Sequence, residues 1–232
     1  MSTLRPTAVV TGAGRGIGRA IARRLAPSHD VIAIARSTGE LDSLAAEVAE
    51  RGGTCRPLAL DVTDGAAVAR ALEGVDADVL VNNAGVGVLK PLLELTPEEW
   101  HRMVDVNFNA LFHVTRALLP GMVARQRGDV VMIGSIAGRS ACVGGACYAA
   151  TKHAVMGFAE SLMLEVRDAG VRVSVVSPGS VATDFSRNSN ADWNLRAEDV
   201  AESVAHVLAM PPEVLVHRVE VRALSPKRPR RG

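Results

Sequence analysis

The stretch Thr11-Gly12-Ala13-Gly14-Arg15-Gly16-Ile17-Gly18 joins an apolar run, Ala8–Thr11, to an amphipathic stretch, Gly18–Leu25. Glycines at such a junction allow a tight turn and let the backbone approach a pyrophosphate closely. The N-terminus of a following helix adds N–H groups and a partial positive charge. Tight turns need glycine in any case, so the glycines alone are a weak signal. Their position between a strand and a helix makes them informative and predicts a phosphate-binding turn.

Short apolar runs alternate with amphipathic stretches along the chain. The runs predict seven buried parallel strands, which are Ala8–Thr11, Val31–Ala35, Arg56–Leu60, Val79–Val81, Val130–Ile133, Val171–Val176 and Val214–Val221. Helices are expected between them, for example over Glu40–Glu50 and Ala197–Leu208. This alternation predicts an α/β fold, with a doubly wound parallel sheet of the Rossmann type.

Length and composition favour a single domain. The chain has 232 residues, of which 48% are hydrophobic and only 3% are aromatic, so the core must be aliphatic. We expect one domain over residues 1–224, including a substrate loop at about 183–196, and a disordered basic tail over residues 225–232. The segment Thr96-Pro97-Glu98-Glu99 has the pattern of a helix start, and it predicts one long helix through Trp100 towards Arg125.

The net charge is +1, and four of the 26 basic residues lie in the tail. Without those four, 22 basic residues face 25 acidic ones, so the body carries a charge near −3. A basic tail on a slightly acidic body predicts no nucleic-acid partner, and contact of the tail with RNA or DNA is the weaker alternative. No apolar run is long enough to cross a membrane, so no membrane partner is expected.

Cysteine and histidine usage predicts neither a disulfide framework nor a metal site. Cys55, Cys142 and Cys147 form no CxxC pair, and the six histidines show no ligand spacing. The chain runs almost directly into an apolar strand without a charged and then apolar leader. An odd number of cysteines without such a leader predicts a cytoplasmic location.

Six motifs in order resemble the short-chain dehydrogenase/reductase family. Gly12-xxx-Gly16-x-Gly18 is the family's glycine spacing, Asn82-Asn83-Ala84-Gly85 matches its NNAG motif, and Tyr148-Ala-Ala-Thr-Lys152 matches its YxxxK motif. The other segments follow the third, fifth and sixth predicted strands, and they are Asp61-Val62, Gly134-Ser135-Ile136-Ala137-Gly138 and Pro178-Gly179 with Thr183. The resemblance spans Ala8 to Val221.

The resemblance implies both a cofactor site and a catalytic set. The residues expected at the cofactor are Gly12, Gly14, Arg15, Gly16, Ile17, Gly18, Arg36, Asp61, Val62, Asn83, Ala84, Gly85, Tyr148, Lys152, Pro178, Gly179, Val181 and Thr183. The catalytic set comprises Asn107, Ser135, Tyr148 and Lys152. In the family, the serine hydrogen-bonds the substrate carbonyl, the lysine also holds the nicotinamide ribose, and the asparagine orders a water that links the lysine to solvent. For Asn107 the alternative is a helix asparagine that bonds a neighbouring carbonyl.

Reduction of a ketone needs a hydride on carbon, which a nicotinamide supplies, and a proton on oxygen. A tyrosine with a pKa of about 10 is a weak acid unless a nearby cation favours its phenolate. Lys152 follows Tyr148 by one helical turn, so we expect it to lower the pKa of Tyr148. Tyr148 is the only tyrosine in the chain, which argues against a chance YxxxK.

The choice of nicotinamide cofactor depends on the end of the second strand. An NAD enzyme of this fold usually carries Asp or Glu there, whereas this chain has Ala35 followed by Arg36. Arg15 lies in the glycine-rich turn, and two guanidinium groups suit a 2′-phosphate. The alternative is a pair of ordinary surface arginines. We therefore predict NADP(H).

The family usually pairs subunits through the long helix and the helix that follows the YxxxK tyrosine, which implies a homo-oligomer, either a dimer or a tetramer. The stripe of Val155, Phe158, Leu162 and Val166 is the candidate contact face, and the alternative is that it covers this chain's own sheet.

The polar stretch Asp184–Asn194 predicts a mobile loop, and the family resemblance implies that this loop covers the substrate pocket. Its large apolar side chains are Phe185 and Trp193. We expect one or both to cap the pocket, with anchoring of the loop by Trp193 as the alternative.

The sequence thus predicts an NADP(H)-dependent oxidoreductase that interconverts a small-molecule ketone or aldehyde with an alcohol, with Tyr148 as acid and base. A non-catalytic NADPH sensor on the same fold is the rival, and the intact catalytic set argues against it.

Overall fold

The computed structural model describes residues 5–183 and 193–224. Within these residues, seven strands form one parallel sheet in the order β3-β2-β1-β4-β5-β6-β7. The strands are β1 (Thr7–Thr11), β2 (Asp30–Ala35), β3 (Thr54–Ala59), β4 (Val79–Asn82), β5 (Gly128–Ile133), β6 (Val171–Pro178) and β7 (Arg218–Val221). The strand order reverses between β1 and β4, and the carboxyl ends beside such a point are where ligands bind in open α/β sheets.

Helices cover both faces of the sheet. In the described part of the chain they are α1 (Gly16–Leu25), α2 (Thr38–Glu50), α3 (Gly65–Ala71), α4 (Pro97–Val104), α5 (Ala110–Ala124), α6 (Ala146–Val166) and α7 (Ala197–Leu208). One core cluster lies between the sheet and α1, α2 and α7, and a second lies between the sheet and α3, α5 and α6. The predicted doubly wound parallel fold is therefore confirmed.

Both core layers are aliphatic, as the composition predicts. Among the described residues, the fully buried side chains of the core are aliphatic or methionine, such as Val9, Ile34, Leu80 and Met132. Branched residues of this kind suit strands that are covered on both faces.

The long helix and the last strand differ most from their predicted bounds, and the other elements differ by at most two residues at an end. The long helix is interrupted by a π-helical turn over Asp105–Asn109, which separates α4 from α5. The last strand begins at Arg218, so the predicted start at Val214 was wrong by four residues. The Val214 N–H donates to Pro211 O in a turn, and Arg172 Nη1 donates to Val214 O, so this backbone is used before pairing with β6 begins.

The stripe predicted as an oligomer face packs on this chain's own sheet. Val155, Leu162 and Val166 of α6 are buried in the core cluster shared with the strands, and Phe158 packs edge-on against Phe108 at 6.1 Å. The prediction that these residues form the contact face was wrong, because α6 needs them to cover the sheet. None of the helices in residues 5–183 and 193–224 is long and apolar enough to span a membrane.

Candidate active site

The predicted site residues meet at the carboxyl edge of the sheet. The glycine-rich turn follows β1, the Asn83-Ala84-Gly85 segment follows β4, and Ser135 follows β5. Because parallel strands end at the same edge, motifs that lie far apart in sequence become neighbours there.

Two glycines of the turn have a conformation that other residues rarely adopt. Gly12 has φ of +65° and Gly16 has φ of +55°. A Cβ atom on Gly12 would lie 2.9 Å from Ala84 Cα, and one on Gly18 would lie 2.2 Å from Gly12 O. Side chains at these positions would therefore force the turn apart from the segment that follows β4.

Asn83 ties the turn to the end of β4. Its Nδ2 donates to Thr11 O at 2.9 Å and to Gly12 O at 3.3 Å. The Thr11 hydroxyl accepts hydrogen bonds from the N–H groups of Asn83 and Ala84, each at 3.0 Å. The side chain of Asn83 thus holds the turn against the end of β4. Direct contact of Asn83 with the cofactor stays a prediction.

The first turn of α1 fits the pyrophosphate of a dinucleotide. In the described residues, no side chain caps this turn and no acidic residue lies in it. Its N–H groups and the helix dipole therefore favour an anion. Thr183 lies on the opposite side, with its methyl group 3.4 Å from the position of a Cβ on Gly16. The structure thus brings the first and sixth motifs together across this turn.

The segment around Thr183 is held in place by backbone bonds. Pro178 ends β6, and the Gly179 N–H donates to Val221 O at 2.8 Å. Val181 is buried and forms a bridge with Leu195. Trp193 is half-buried beside this bridge, whereas Phe185 and the rest of 184–192 lie outside the described residues. The role of either aromatic residue as a cap therefore stays a prediction.

The adenosine end of the site carries the predicted arginines. Arg36 is exposed directly after β2, and Arg15 is exposed in the turn after β1. Hydrogen bonds from the Thr63 N–H and hydroxyl, at 3.0 and 2.8 Å, lower the pKa of the Asp61 carboxyl, and the charge of Arg36 lowers it further. Arg36 therefore lies near Asp61, while Val62 is buried next to it.

Glu40 also belongs to this end of the site, and the sequence analysis missed it. Its Oε2 lies 2.4 Å from the position of a Cβ on Gly14, so the carboxylate fills the space beside the turn. Ser37-x-x-Glu40 is the pattern of a capping box, and the Glu40 N–H does donate to Ser37 Oγ at 3.3 Å. That pattern indicates a helix start but does not reveal that the carboxylate lies against Gly14.

Lys152 lies in the interior beside Tyr148. Its Nζ is 6.0 Å from the centroid of the Tyr148 ring and donates to Ile133 O at 2.9 Å. Its side chain is buried, and burial lowers the pKa of Lys152 from 10.5 to about 8. The YxxxK spacing thus places both residues on α6 at the end of β5.

The pKa of Tyr148 is raised, contrary to the expectation from the sequence. Burial of the phenol is the largest cause, a hydrogen bond with the Ser135 side chain lowers the pKa in part, and the nearby Cys142 thiol raises it. The expectation of a lowered pKa was wrong for this structure, because burial raises the pKa and the Lys152 ammonium donates to Ile133 O. Tyr148 is therefore a neutral phenol at neutral pH, which is the form that donates a proton.

Asn107 joins three segments. Its Oδ1 accepts from the Val86 N–H at 2.7 Å, and its Nδ2 donates to Val86 O at 2.9 Å and to Thr151 Oγ1 at 3.1 Å. The Thr151 hydroxyl in turn donates to Tyr148 O at 2.8 Å. The side chain of Asn107 thus positions the segment after β4 against α6, and its link to a water stays a prediction.

Ser135 has the geometry of a donor to the phenol or to a substrate oxygen. It follows β5, and its Oγ accepts the Ala137 N–H at 3.1 Å. A hydroxyl that accepts one hydrogen bond keeps its O–H available as a donor, and the side chain of Ser135 hydrogen-bonds Tyr148. Ser135, Tyr148 and Lys152 form one cluster, while Asn107 supports it from the next layer.

Comparisons with known proteins agree with this geometry. The family model described as short chain dehydrogenase matches residues 6–194. The NADP-dependent 3-hydroxy acid dehydrogenase YdfG of Salmonella typhi is 37% identical over 236 residues, covering 92% of this chain and 93% of that protein.

Solved structures are similar over almost the whole chain. A metagenomic short-chain oxidoreductase in complex with NADP has a TM-score of 0.86 at 35% identity, covering 97% of this chain and 100% of the other. A 3-oxoacyl-[acyl-carrier protein] reductase from Brucella melitensis with bound NAD has a TM-score of 0.86 at 34% identity, covering 96% and 91%.

Proposed function

Because the chain belongs to the short-chain dehydrogenase/reductase family, we propose that this oxidoreductase interconverts a ketone or aldehyde with an alcohol, with Tyr148 as acid and base. The observation that carries the proposal is the cluster of Ser135, Tyr148 and Lys152 at the carboxyl edge of the sheet. A buried neutral phenol next to a hydroxyl donor is suited to protonating a carbonyl oxygen.

The residues of the chain have distinct parts in this chemistry. The nicotinamide cofactor supplies the hydride when it is bound. Ser135 donates a hydrogen bond to the carbonyl oxygen, and Tyr148 delivers its proton to that oxygen. Lys152, whose Nζ lies 6.0 Å from the centroid of the Tyr148 ring, holds the nicotinamide ribose, as the family resemblance implies. Asn107 keeps the segment after β4 in place beside them.

The cofactor is NADP(H). Ala35 at the end of β2, where an NAD enzyme usually has an acidic residue, the exposed Arg15 and Arg36, and the uncapped first turn of α1 support this choice. The relative YdfG is named as NADP-dependent, and the metagenomic oxidoreductase holds NADP. The Brucella melitensis reductase holds NAD, so competition between the two cofactors is the direct measurement.

A panel of ketones and aldehydes tests the reaction type. The purified protein is mixed with NADPH and each carbonyl compound, and the loss of NADPH absorbance is followed. We expect reduction of several members, and the corresponding alcohols should be oxidised with NADP. Tight binding of NADPH without turnover of any carbonyl would instead favour the sensor alternative.

We also propose that the protein is a homo-oligomer and that it works in the cytoplasm. The outward sides of α5 and α6 expose Phe112 and Leu164, which are 45% and 54% exposed. Large apolar side chains on exposed helices gain from contact with another copy. The free thiols of Cys55, Cys142 and Cys147 support a reducing location. The basic tail over residues 225–232 lies outside the described residues.

A further inference from the structure

Apart from Lys152, the segments that the structure describes at the strand ends around Tyr148 carry almost no charge. Residues 83–91, 134–147 and 178–183 follow β4, β5 and β6, and they contain two charged side chains, Lys90 and Arg139. Lys90 Nζ donates to Glu99 of α4, and Arg139 Nη1 donates to Glu220 of β7 at 2.9 Å. Each cation in these segments therefore already has a carboxylate partner. A substrate carboxylate would have to break one of these ion pairs to find a positive charge here.

Two of these segments join to form an apolar surface. The Lys90 N–H donates to Gly144 O at 2.9 Å. A Cβ on Gly144 would lie 3.3 Å from Lys90 N and 3.6 Å from the carbonyl carbon of Leu89, so the two backbones are in close contact. Leu89 is 60% exposed, and Val143 on the adjoining segment is fully exposed. The free energy decreases when an apolar group covers exposed apolar side chains.

Cys142 connects this surface to the reacting phenol. The Gly145 N–H donates to Cys142 O at 3.0 Å, directly before α6 begins. The thiol lies near enough to Tyr148 to influence the pKa of the phenol. Cys142 Sγ is the nearest atom to the position of a Cβ on Gly145, which directly precedes α6. The surface of Leu89, Cys142 and Val143, which we call the apolar platform, therefore adjoins the first turn of the helix that carries Tyr148.

We propose that the substrates are neutral carbonyl compounds whose apolar chain lies on the apolar platform, and not 3-oxo or 3-hydroxy acids. This inference rests on the proposed function and names its substrate class. The carbonyl carbon accepts the hydride and the carbonyl oxygen accepts the Tyr148 proton, so the ketone is reduced to an alcohol and NADPH is oxidised to NADP. A carboxylate on the platform would lose its hydration without gaining a free cation. The chain thus differs from the relative named for 3-hydroxy acids.

A matched pair of substrates tests the charge preference. 3-Oxohexanamide and 3-oxohexanoate share a carbonyl and an alkyl chain and are nearly equal in size, but they differ in charge. We expect kcat/KM for the amide to exceed that for the acid by at least about tenfold, since a carboxylate that loses its hydration without a cationic partner costs far more than one factor of ten. In a series of 2-ketones from butanone to octanone, kcat/KM should rise by up to about fourfold for each methylene.

Variants of the platform test its location. Val143→Asp should reduce kcat/KM for 2-octanone by about tenfold while leaving butanone much less affected. Val214→Asp makes the same change on an exposed valine outside the three segments and should leave both values unchanged. An enzyme that prefers 3-oxohexanoate, or a Val143→Asp variant with unaltered octanone kinetics, overturns the inference alone. Failure to reduce any carbonyl contradicts the proposed function as well.

The same variants test a second copy as the rival occupant of the platform. Light scattering of Val143→Asp should give the mass of the wild-type protein. A lower mass, together with unchanged chain-length dependence of kcat/KM, would assign the surface to subunit contact and overturn the inference.

Discussion

At the scale of single residues, Tyr148 has the clearest expected effect. In the proposed reaction its phenol is the proton donor, so Tyr148→Phe should keep the fold and the affinity for NADPH but reduce kcat by about 100- to 10,000-fold. Steady-state kinetics and NADPH titration measure the two quantities separately. Turnover close to that of the wild type would contradict the mechanism.

We expect the buried Lys152 to lower the free energy of unfolding at neutral pH. Burial shifts its pKa from 10.5 to about 8, so between these values the unfolded chain binds more protons than the folded one. Above pH 10.5 the residue therefore does not reduce the free energy of unfolding. This free energy decreases as the pH falls and is about 3 kcal/mol lower below pH 8.

We therefore expect Lys152→Met, which removes the buried charge, to unfold at an equal or higher temperature than the wild type at about pH 7. The difference should shrink as the pH is raised towards 10.5. Thermal unfolding at several pH values measures this, and Lys90→Met is the control because Lys90 has an ion-pair partner nearer the surface. A Lys152→Met protein that is less stable at every pH would contradict the expected cost. Lys152→Ala should in addition weaken NADPH binding.

Arg36 tests the assignment of the cofactor. A charge-assisted hydrogen bond to phosphate contributes about 1.5–3 kcal/mol, which is roughly tenfold or more in affinity. Arg36→Ala should therefore lower the affinity for NADPH and leave the affinity for NADH little changed. Titration with each cofactor measures the two affinities. Arg70→Ala removes the same charge from an exposed position on α3 and should change neither. Equal use of NADPH and NADH by the wild type would count against the assignment.

At the scale of elements, the π-helical turn between α4 and α5 determines the role of Asn107. The extra residue in the turn brings the Asn107 side chain to the backbone of Val86, with which it makes two hydrogen bonds. π-helical turns of this kind often occur at functional sites. This turn positions the segment after β4, which carries residues of the predicted cofactor site and of the proposed apolar platform.

Asn107→Ala should leave the Val86 N–H and carbonyl without partners and should destabilise the protein by about 2 kcal/mol. We expect a fall in kcat that is larger than the change in NADPH affinity, because the residue acts through the position of its neighbours. Thermal unfolding and the separate measurement of kcat and Kd check this. Asn109→Ala, which removes only a bond to Asp105, is the matched control. An Asn107→Ala enzyme with normal kcat would assign the residue a purely structural role.

At the scale of the whole molecule, we expect a second copy of the chain to cover the outer faces of α5 and α6. Light scattering at micromolar concentration should give a dimer or tetramer. The double variant Phe112→Glu and Leu164→Glu should lower the mass, because two charges would have to be buried in the contact. Leu224→Glu changes an exposed leucine that lies outside both helices, and it should leave the mass unchanged. A monomeric wild-type protein would refute the proposed assembly.

The architecture of the sheet also shows which features could be predicted from the sequence. The strands, the aliphatic core and the cofactor and catalytic motifs follow from the sequence because each is a local pattern, with fixed spacing along the chain. Thr11 to Gly18 between a strand and a helix, and Tyr148 four residues before Lys152, are patterns of this kind. The oligomer stripe on α6 had helical spacing as well, but spacing alone did not reveal that α6 uses that stripe against its own sheet.

The tertiary structure decided what depends on contacts between distant segments. The raised pKa of Tyr148 comes from burial, and the lowered pKa of Lys152 comes from its interior position, which no local pattern encodes. Glu40 reaches Gly14, and Asn107 reaches Val86, only because separate elements pack together. The sequence by itself determined which residues can do the chemistry, since residue type and local spacing are properties of the chain. Solvent exclusion and side-chain partners are properties of the packed molecule, and these determine the protonation state and the position in which those residues act.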